Sequence, residues 1–167
     1  MDLLASPPPV DLNDRSWIIH TRTEERPPVW IASGSVVLDS MITDGCEISP
    51  GARIERSILS PGVRVAPGAV VRESVILTDT IIEPDAIIER SILDKHVKVG
   101  KSAHIGGVHS GKEILVAMVG KNTIIPPGMS VEPGAVIGTD VVESDYPEAL
   151  FVRSSDYIQT LRQPYEI

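Results

Sequence analysis

The stretch Ile48-Ser-Pro-Gly-Ala-Arg-Ile54-Glu-Arg-Ser-Ile-Leu59-Ser-Pro-Gly-Val-Arg-Val65 decides the fold, because its pattern returns every 17 positions on either side. Ile31, Ile48, Val65, Ile82 and Val99 form one apolar column at that spacing. Val37, Ile54, Val71, Ile88 and Ile105 form a second, and Ile42, Leu59, Ile76 and Leu93 a third. Small residues (Ser35, Ala52, Ala69, Ala86 and Ala103) follow the first column four places on. A period of this length marks a solenoid, in which each repeat buries its apolar side only against its neighbours.

The repeat is built for strands. Ile and Val supply most of its core, and the whole chain of 167 residues has only two Trp, three Tyr and one Phe. Branching at Cβ restricts χ1 in helices and suits a pleated surface. The 14 Pro and 13 Gly argue against long helices. Each repeat therefore predicts one coil of three short parallel strands, an all-β parallel β-helix whose coils stack at about 4.8 Å. Alternation along a strand places Ala52 and Ile54 inside and Arg53 outside. Pro50-Gly51, Pro67-Gly68, Pro84-Asp85, Asp44-Gly45 and Pro61-Gly62 supply the corners. Pro fixes φ there, and Gly or Asp tolerates the left-handed conformation.

Four stretches follow. Residues 1–25 read as a linker, stiff at Ser6-Pro7-Pro8-Pro9, with a strand at Trp17-Ile18-Ile19. Residues 26–142 are the β-helix, interrupted by a loop at 106–118 and resumed in hexads at Val119, Ile125, Val131 and Ile137. Residues 143–167 have no repeat and are expected to form a C-terminal cap or tail.

A net charge of −8 excludes a phosphate backbone as partner, since nothing is gained from counterion release. No apolar run reaches membrane-spanning length, about 20 residues. Cys46 falls in an inward column with Val63, Thr80 and Val97, and reads as a buried thiol in a reducing, cytoplasmic setting.

The period also sorts the charges. Asp39, Arg56, Glu73 and Arg90 share one outward column, and Leu38, Glu55, Arg72 and Glu89 the next, with alternating signs. Opposite charges on neighbouring strands contribute roughly 0.2–1 kcal/mol per pair, so such columns favour stacking. Acid–base carboxylates need unlike environments, which a ladder does not supply. Ser40, Ser57, Ser74 and Ser91 recur in the same way and read as ligands of corner backbone groups rather than nucleophiles. Val36, Val70 and Ile87 share an outward column with Arg53 and His104, and Ile81 also points outward. Val70, Ile81 and Ile87 are therefore the candidate interface residues.

Three motifs resemble chemistry. Gly106-Gly-Val-His-Ser-Gly111-Lys112 has P-loop spacing, but Glu113 stands where the Mg²⁺-binding hydroxyl belongs, and no helical pattern follows. His96, His104 and His109 suggest a zinc site between subunits, as in a metal-binding β-helix trimer. His96 or His104 also suggests the catalytic base of a standalone hexapeptide acyltransferase, although no carboxylate is placed to orient it.

The hexads resemble left-handed β-helices, and the hand rests on that resemblance. Longer segments are closer to one family. Asp11-Leu-Asn-Asp-Arg-Ser-Trp17-Ile-Ile-His-Thr21 with Pro27-Pro28 resembles the interdomain junction of bacterial ADP-glucose pyrophosphorylases (glucose-1-phosphate adenylyltransferases). Ser40-Met-Ile-Thr-Asp-Gly45-Cys46-Glu-Ile48, Ser57-Ile-Leu-Ser-Pro-Gly-Val63, Ile92-Leu-Asp-Lys95 and Val119-Gly-Lys-Asn-Thr-Ile-Ile-Pro126 continue the match to about residue 140. The resemblance implies a non-catalytic oligomerisation and regulatory domain of an enzyme of glycogen synthesis. ATP and Mg²⁺ would belong to a separate catalytic domain, and this chain would carry no cofactor or catalytic residue. Its partners would be that domain, other subunits of a homo-oligomer, and a sugar-phosphate or organic-acid effector. Arg15, Arg22 and Arg26 are the candidate effector ligands at the junction. A β-helix domain of another sugar-nucleotide pyrophosphorylase is the related alternative.

Overall fold

The computed structural model describes residues 2–12, 14, 16, 24–108 and 114–162. Its core is a parallel β-helix of about seven coils, of the left-handed kind the hexads resemble. Three sheets form its sides. The first runs from Trp30–Ile31 to Ile124–Ile125, the second from Val36–Leu38 to Phe151–Val152, and the third from Met41–Ile42 to Tyr157–Ile158. Every pairing is parallel, and the early registers follow the 17-residue period, as in Ile31 with Ile48 and Ile54 with Val71. Inward residues of the columns from the second coil onward are inside, with Ala52, Ile54, Leu59, Ile76, Ile88 and Ile105 fully buried, whereas Ile31, on the edge strand of the first sheet, is exposed. Each of these Ile and Leu side chains contributes about 1.5–3 kcal/mol when withdrawn from water.

The corners use the expected residues. Gly45, Gly51, Gly62, Gly68 and Asp85 all have positive φ. The corner between the second and third sheets is tighter. It turns on one residue in the left-handed region, and that residue is Asp39, Arg56, Glu73 or Arg90 in successive coils. Such residues are uncommon there. The serine column offsets this cost. Ser57, Ser74 and Ser91 each donate a hydroxyl to the carbonyl two residues back, at 2.7–2.8 Å. Their amides in turn donate to the hydroxyl one coil earlier, that of Ser40, Ser57 or Ser74, at 3.1–3.2 Å. The expected role of these serines at corner backbone is thus realised as a continuous ladder.

Two boundaries differ from the sequence reading. His104–Gly106 and Ala117–Val119 are regular strands of the second and third sheets, so the interruption lies within 107–116 rather than 106–118. The register Leu93 with Val119 absorbs nine extra residues, since 119 − 93 = 26 against a period of 17. The solenoid also continues past residue 142. Phe151–Val152 and Tyr157–Ile158 extend the second and third sheets, with Val131 aligned to Val152. That last coil spans 21 residues because a 3-10 turn at Glu143–Asp145 replaces a strand of the first sheet, and this lengthening hides it from a 17-residue search. Tyr146 fills the space beneath the turn and is buried. The strand expected at Trp17-Ile18-Ile19 lies outside the described residues.

Candidate functional site: the outer faces and the Arg26 clasp

Three regions of the surface have enough organisation to carry function, and the first is the junction with the N-terminal segment. The carbonyl of Pro27 accepts the Gly45 amide at 2.7 Å, as the carbonyl of Asp44 accepts Gly62 and that of Pro61 accepts Asp79. Pro27 thus continues a corner column one coil beyond the first complete coil. From that point Arg26 lies across the glycine column. Its guanidinium donates to both carboxylate oxygens of Asp79, at 2.5 and 2.9 Å, and to Glu24 at 2.9 Å. This hydrogen-bonded guanidinium holds the Asp79 carboxyl below the usual carboxylate range. A Cβ on Gly62 would overlap Arg26 Nη1 and Asp79 Oδ1, and one on Gly45 would press on the Arg26 stem at 3.1 Å. These two glycines therefore serve the clasp as well as the turn. The clasp walls a cleft of about 350 Å³ that Glu47, Arg64 and Ile81 also line.

Of the three candidate effector ligands, Arg26 is thus bound to two carboxylates. Arg15 and Arg22 lie outside the described residues.

A second cleft, of about 550 Å³, lies where Asp2, Leu4 and Ala5 and the ends of the insertion (Ile114, Val116) meet the Asp39–Arg90 column. Its cations are also engaged. Glu73 pairs with Arg90 at 2.6 Å and with Arg56, and the Arg90 hydrogen bond, then that of Arg56, keeps its carboxyl low. In the neighbouring column Arg72 bridges Glu55 and Glu89 at 3.1 and 2.9 Å. The alternating columns are therefore ion-pair ladders.

The two described histidines, His96 and His104, lie on different parts of the coil. His96 occupies an exposed corner between the third and first sheets, with positive φ. His104 is on the second sheet, with Nε2 3.8 Å from Glu89 Oε2. His109 lies outside the described residues. Among the described residues no group of three or more His, Cys, Asp or Glu side chains is placed to hold a metal ion. The P-loop-like spacing has another origin at its start. A Cβ on Gly106 would overlap the carbonyl oxygen of Glu89, so glycine is required where the chain leaves the second sheet for the insertion. Cys46 is buried, donates its thiol to the Ser60 carbonyl at 3.2 Å, and is pushed up in pKa by burial.

The outer faces are the third region, and here the candidate interface needs correction. Val70 and Ile87 are adjacent on the second sheet, but Ile81 is on the first, paired with Arg64 and Lys98. The three do not form one strip. The Val70–Ile87 pair is also bounded by Arg53 and His104. A longer apolar row lies on the third sheet: Met41, Ile58, Val75, Ile92, Met118, Val136 and Tyr157, in register through all seven strands. None is charged. Ile92, Met118 and Tyr157 are 40, 45 and 58% exposed. Its signal was present in the sequence but disguised. In Ile58-Leu59, Val75-Ile76 and Ile92-Leu93 the outward and inward neighbours are both apolar, so the alternation that marks a face is lost.

The described residues thus form a parallel β-helix with ion-pair ladders on its outer columns. The chain belongs to the GlmU-like C-terminal hexapeptide family, whose model matches residues 31–114. Its particular likeness is to part of one enzyme. It is 44% identical over 159 residues to the glucose-1-phosphate adenylyltransferase of Thermomicrobium roseum, covering 90% of this chain and 37% of that protein. It is 39% identical over 166 residues to the enzyme of the same name from Pseudothermotoga lettingae, covering 95% and 39%. The chain thus spans under two fifths of the length of these relatives. Among solved structures, a putative acetyltransferase from Desulfovibrio desulfuricans G20 matches 82% of this chain and 27% of its own at 14% identity, with a TM-score of 0.49. That superposition is too loose to bear on function.

Proposed function

We propose that this chain is the C-terminal β-helix of a glucose-1-phosphate adenylyltransferase, the enzyme that forms ADP-glucose from ATP and glucose 1-phosphate for glycogen synthesis. In this reading it holds the enzyme together and takes no part in the chemistry. One observation carries the reading: the identity to the Thermomicrobium roseum enzyme extends over 159 residues, well beyond the 31–114 stretch common to hexapeptide coils. The surface agrees, because Arg26 in the first cleft and Arg56 and Arg90 in the second are hydrogen-bonded to neighbouring carboxylates, and a catalytic phosphate site needs cations free to meet its ligand.

The nucleotide, its Mg²⁺ and the sugar phosphate would be bound by the other part of the enzyme. The partners proposed for this chain are that part and further subunits, in a cytoplasmic setting. No helix among the described residues is long and apolar enough to cross a membrane. A sugar-phosphate or organic-acid effector would have to displace Asp79 to reach Arg26; Arg15 and Arg22 are the other candidates for that role.

The test is a turnover assay. Purified chain is supplied with ATP, Mg²⁺ and glucose 1-phosphate, and in parallel with acetyl-coenzyme A and amino-sugar acceptors. The expected result is no pyrophosphate and no free coenzyme A. Pyrophosphate release by the chain alone would overturn the scaffold reading, and acetyl transfer would replace it with the acyltransferase alternative.

A further inference from the structure

We infer that the Arg26 clasp is a latch on the open end of the solenoid. While it is closed, the end coil (Trp30, Val37 and Ile42) is held with the body of the β-helix. When it opens, that coil frays by itself.

The end coil is weak by itself. Trp30–Ile31 is the edge strand of its sheet, with Trp30 and Ile31 55 and 48% exposed. Val37 and Ile42, the corresponding inward residues of the other two sheets, are only partly buried. Solenoid stability is a sum of contacts between neighbouring coils, so a coil with one neighbour opens before a coil with two.

The clasp alters this because of where it reaches. The left-handed corner position between the third and first sheets is Gly45, Gly62, Asp79 and His96 in successive coils. The two glycines leave a path that the Arg26 stem follows. Asp79, the first side chain on that path, extends back over Gly62 to meet the guanidinium. The pair thus ties the chain just before the end coil to the coil of Ile82, three coils further in. With residue 26 held there and Ile48 buried in the next coil, the stretch between them is a loop closed at both ends. Freeing such a loop gains less entropy than freeing a chain end. A guanidinium bonded to both oxygens of one carboxylate is also stronger and more directional than a single neutral hydrogen bond.

Another corner of the molecule supplies the comparison. Between the first and second sheets the left-handed position is Gly34, Gly51, Gly68 and Asp85, again glycines ending in an aspartate. A Cβ on Gly68 would overlap Asp85 Oδ1, so Asp85 extends back as Asp79 does. Among the described residues no cation forms an ion pair with it. The backward-reaching aspartate is therefore a property of the coil, whereas the arginine that binds it is particular to the corner where the chain enters.

The test is native-state hydrogen exchange on the 167-residue chain, with circular dichroism to verify folding. The end coil is reported by the amides of Trp30, Ala32 and Val36, which donate to Cys46, Ile48 and Ala52. The body is reported by the amides of Ile87 and Lys98, which donate to Ala103 and Thr123. Asp79→Ala should raise the end-coil rates roughly tenfold, a modest figure because the pair is partly exposed. In that variant the end-coil amides should also outrun those of Ile87 and Lys98, which marks their opening as local. Arg26→Ala should give the same acceleration, and the two substitutions together no more. Asp85→Ala should give none. End-coil rates unchanged by Asp79→Ala would show that the coil frays with the clasp closed, and would overturn the latch. End-coil and body amides exchanging at one common rate in Asp79→Ala, or an equal acceleration from Asp85→Ala, would overturn it as well.

Discussion

Replacing Gly62 with Ala tests the Arg26 clasp, provided it is compared with Gly51→Ala. Both glycines sit at equivalent kinds of corner, with φ of +76° and +75°. Alanine in the left-handed region costs roughly 1–2 kcal/mol at either site. What differs is the surroundings. A Cβ on Gly51 meets nothing closer than the Gly68 amide nitrogen at 3.7 Å, an ordinary contact. A Cβ on Gly62 overlaps the Arg26–Asp79 pair, which must open. Gly51→Ala should therefore lower the melting temperature by about 2–8 °C, taking 2–4 °C per kcal/mol for a domain of this size. Gly62→Ala should lower it further, and the excess should vanish in an Asp79→Ala background, where no pair remains to be broken. Thermal melts of the four variants give the comparison. Equal losses for Gly51→Ala and Gly62→Ala, or an excess that survives Asp79→Ala, would refute the clasp.

Other consequences follow from particular residues. Ser74→Ala leaves the buried Ser91 amide without its acceptor, so urea unfolding should show a loss of about 1–3 kcal/mol; a loss under about 0.5 would count against the serine ladder. Asp79 and Glu73 have carboxyl pKa values lowered in the folded chain by hydrogen-bonded arginines, so their stabilisation is present above the unfolded values near about 4 and is lost as pH falls through the folded ones. The melting temperature should accordingly drop between about pH 5 and pH 2, and drop less in Glu73→Gln; a parallel decline would place the acid sensitivity elsewhere. The buried Tyr146 hydroxyl has no hydrogen-bond partner among the described residues, so Tyr146→Phe should raise stability by about 1 kcal/mol in the same unfolding assay, whereas a loss of that size would reveal a bond it makes.

Most of the fold was legible because a solenoid repeats its own signal. Ile48, Val65 and Ile82 occupy equivalent environments, so each confirms the register of the next. The alternating Arg56, Glu73 and Arg90 were readable as a ladder for the same reason. Features that break the period were not. The last coil is lengthened by Glu143–Asp145, so Val152 and Ile158 fall off the 17-residue grid. Arg26 and Asp79 are 53 residues apart, a separation that is no multiple of the period, and their meeting depends on an arginine long enough to cross the glycine corners. Ile81 was grouped with Val70 and Ile87 because outward direction is visible in a sequence while the sheet a strand joins is visible only once corners are counted. The uninterrupted row from Met41 to Tyr157 was hidden by apolar neighbours on the inner side.

The scaffold role is tested most directly by a chimera in which this chain replaces the matching C-terminal part of the Thermomicrobium roseum adenylyltransferase. ADP-glucose formation is measured for the chimera, for that enzyme without its C-terminal part, and for this chain alone. The chimera should assemble and regain activity well above the truncated enzyme, with none from the chain by itself. A folded chimera no more active than the truncated enzyme would contradict the account.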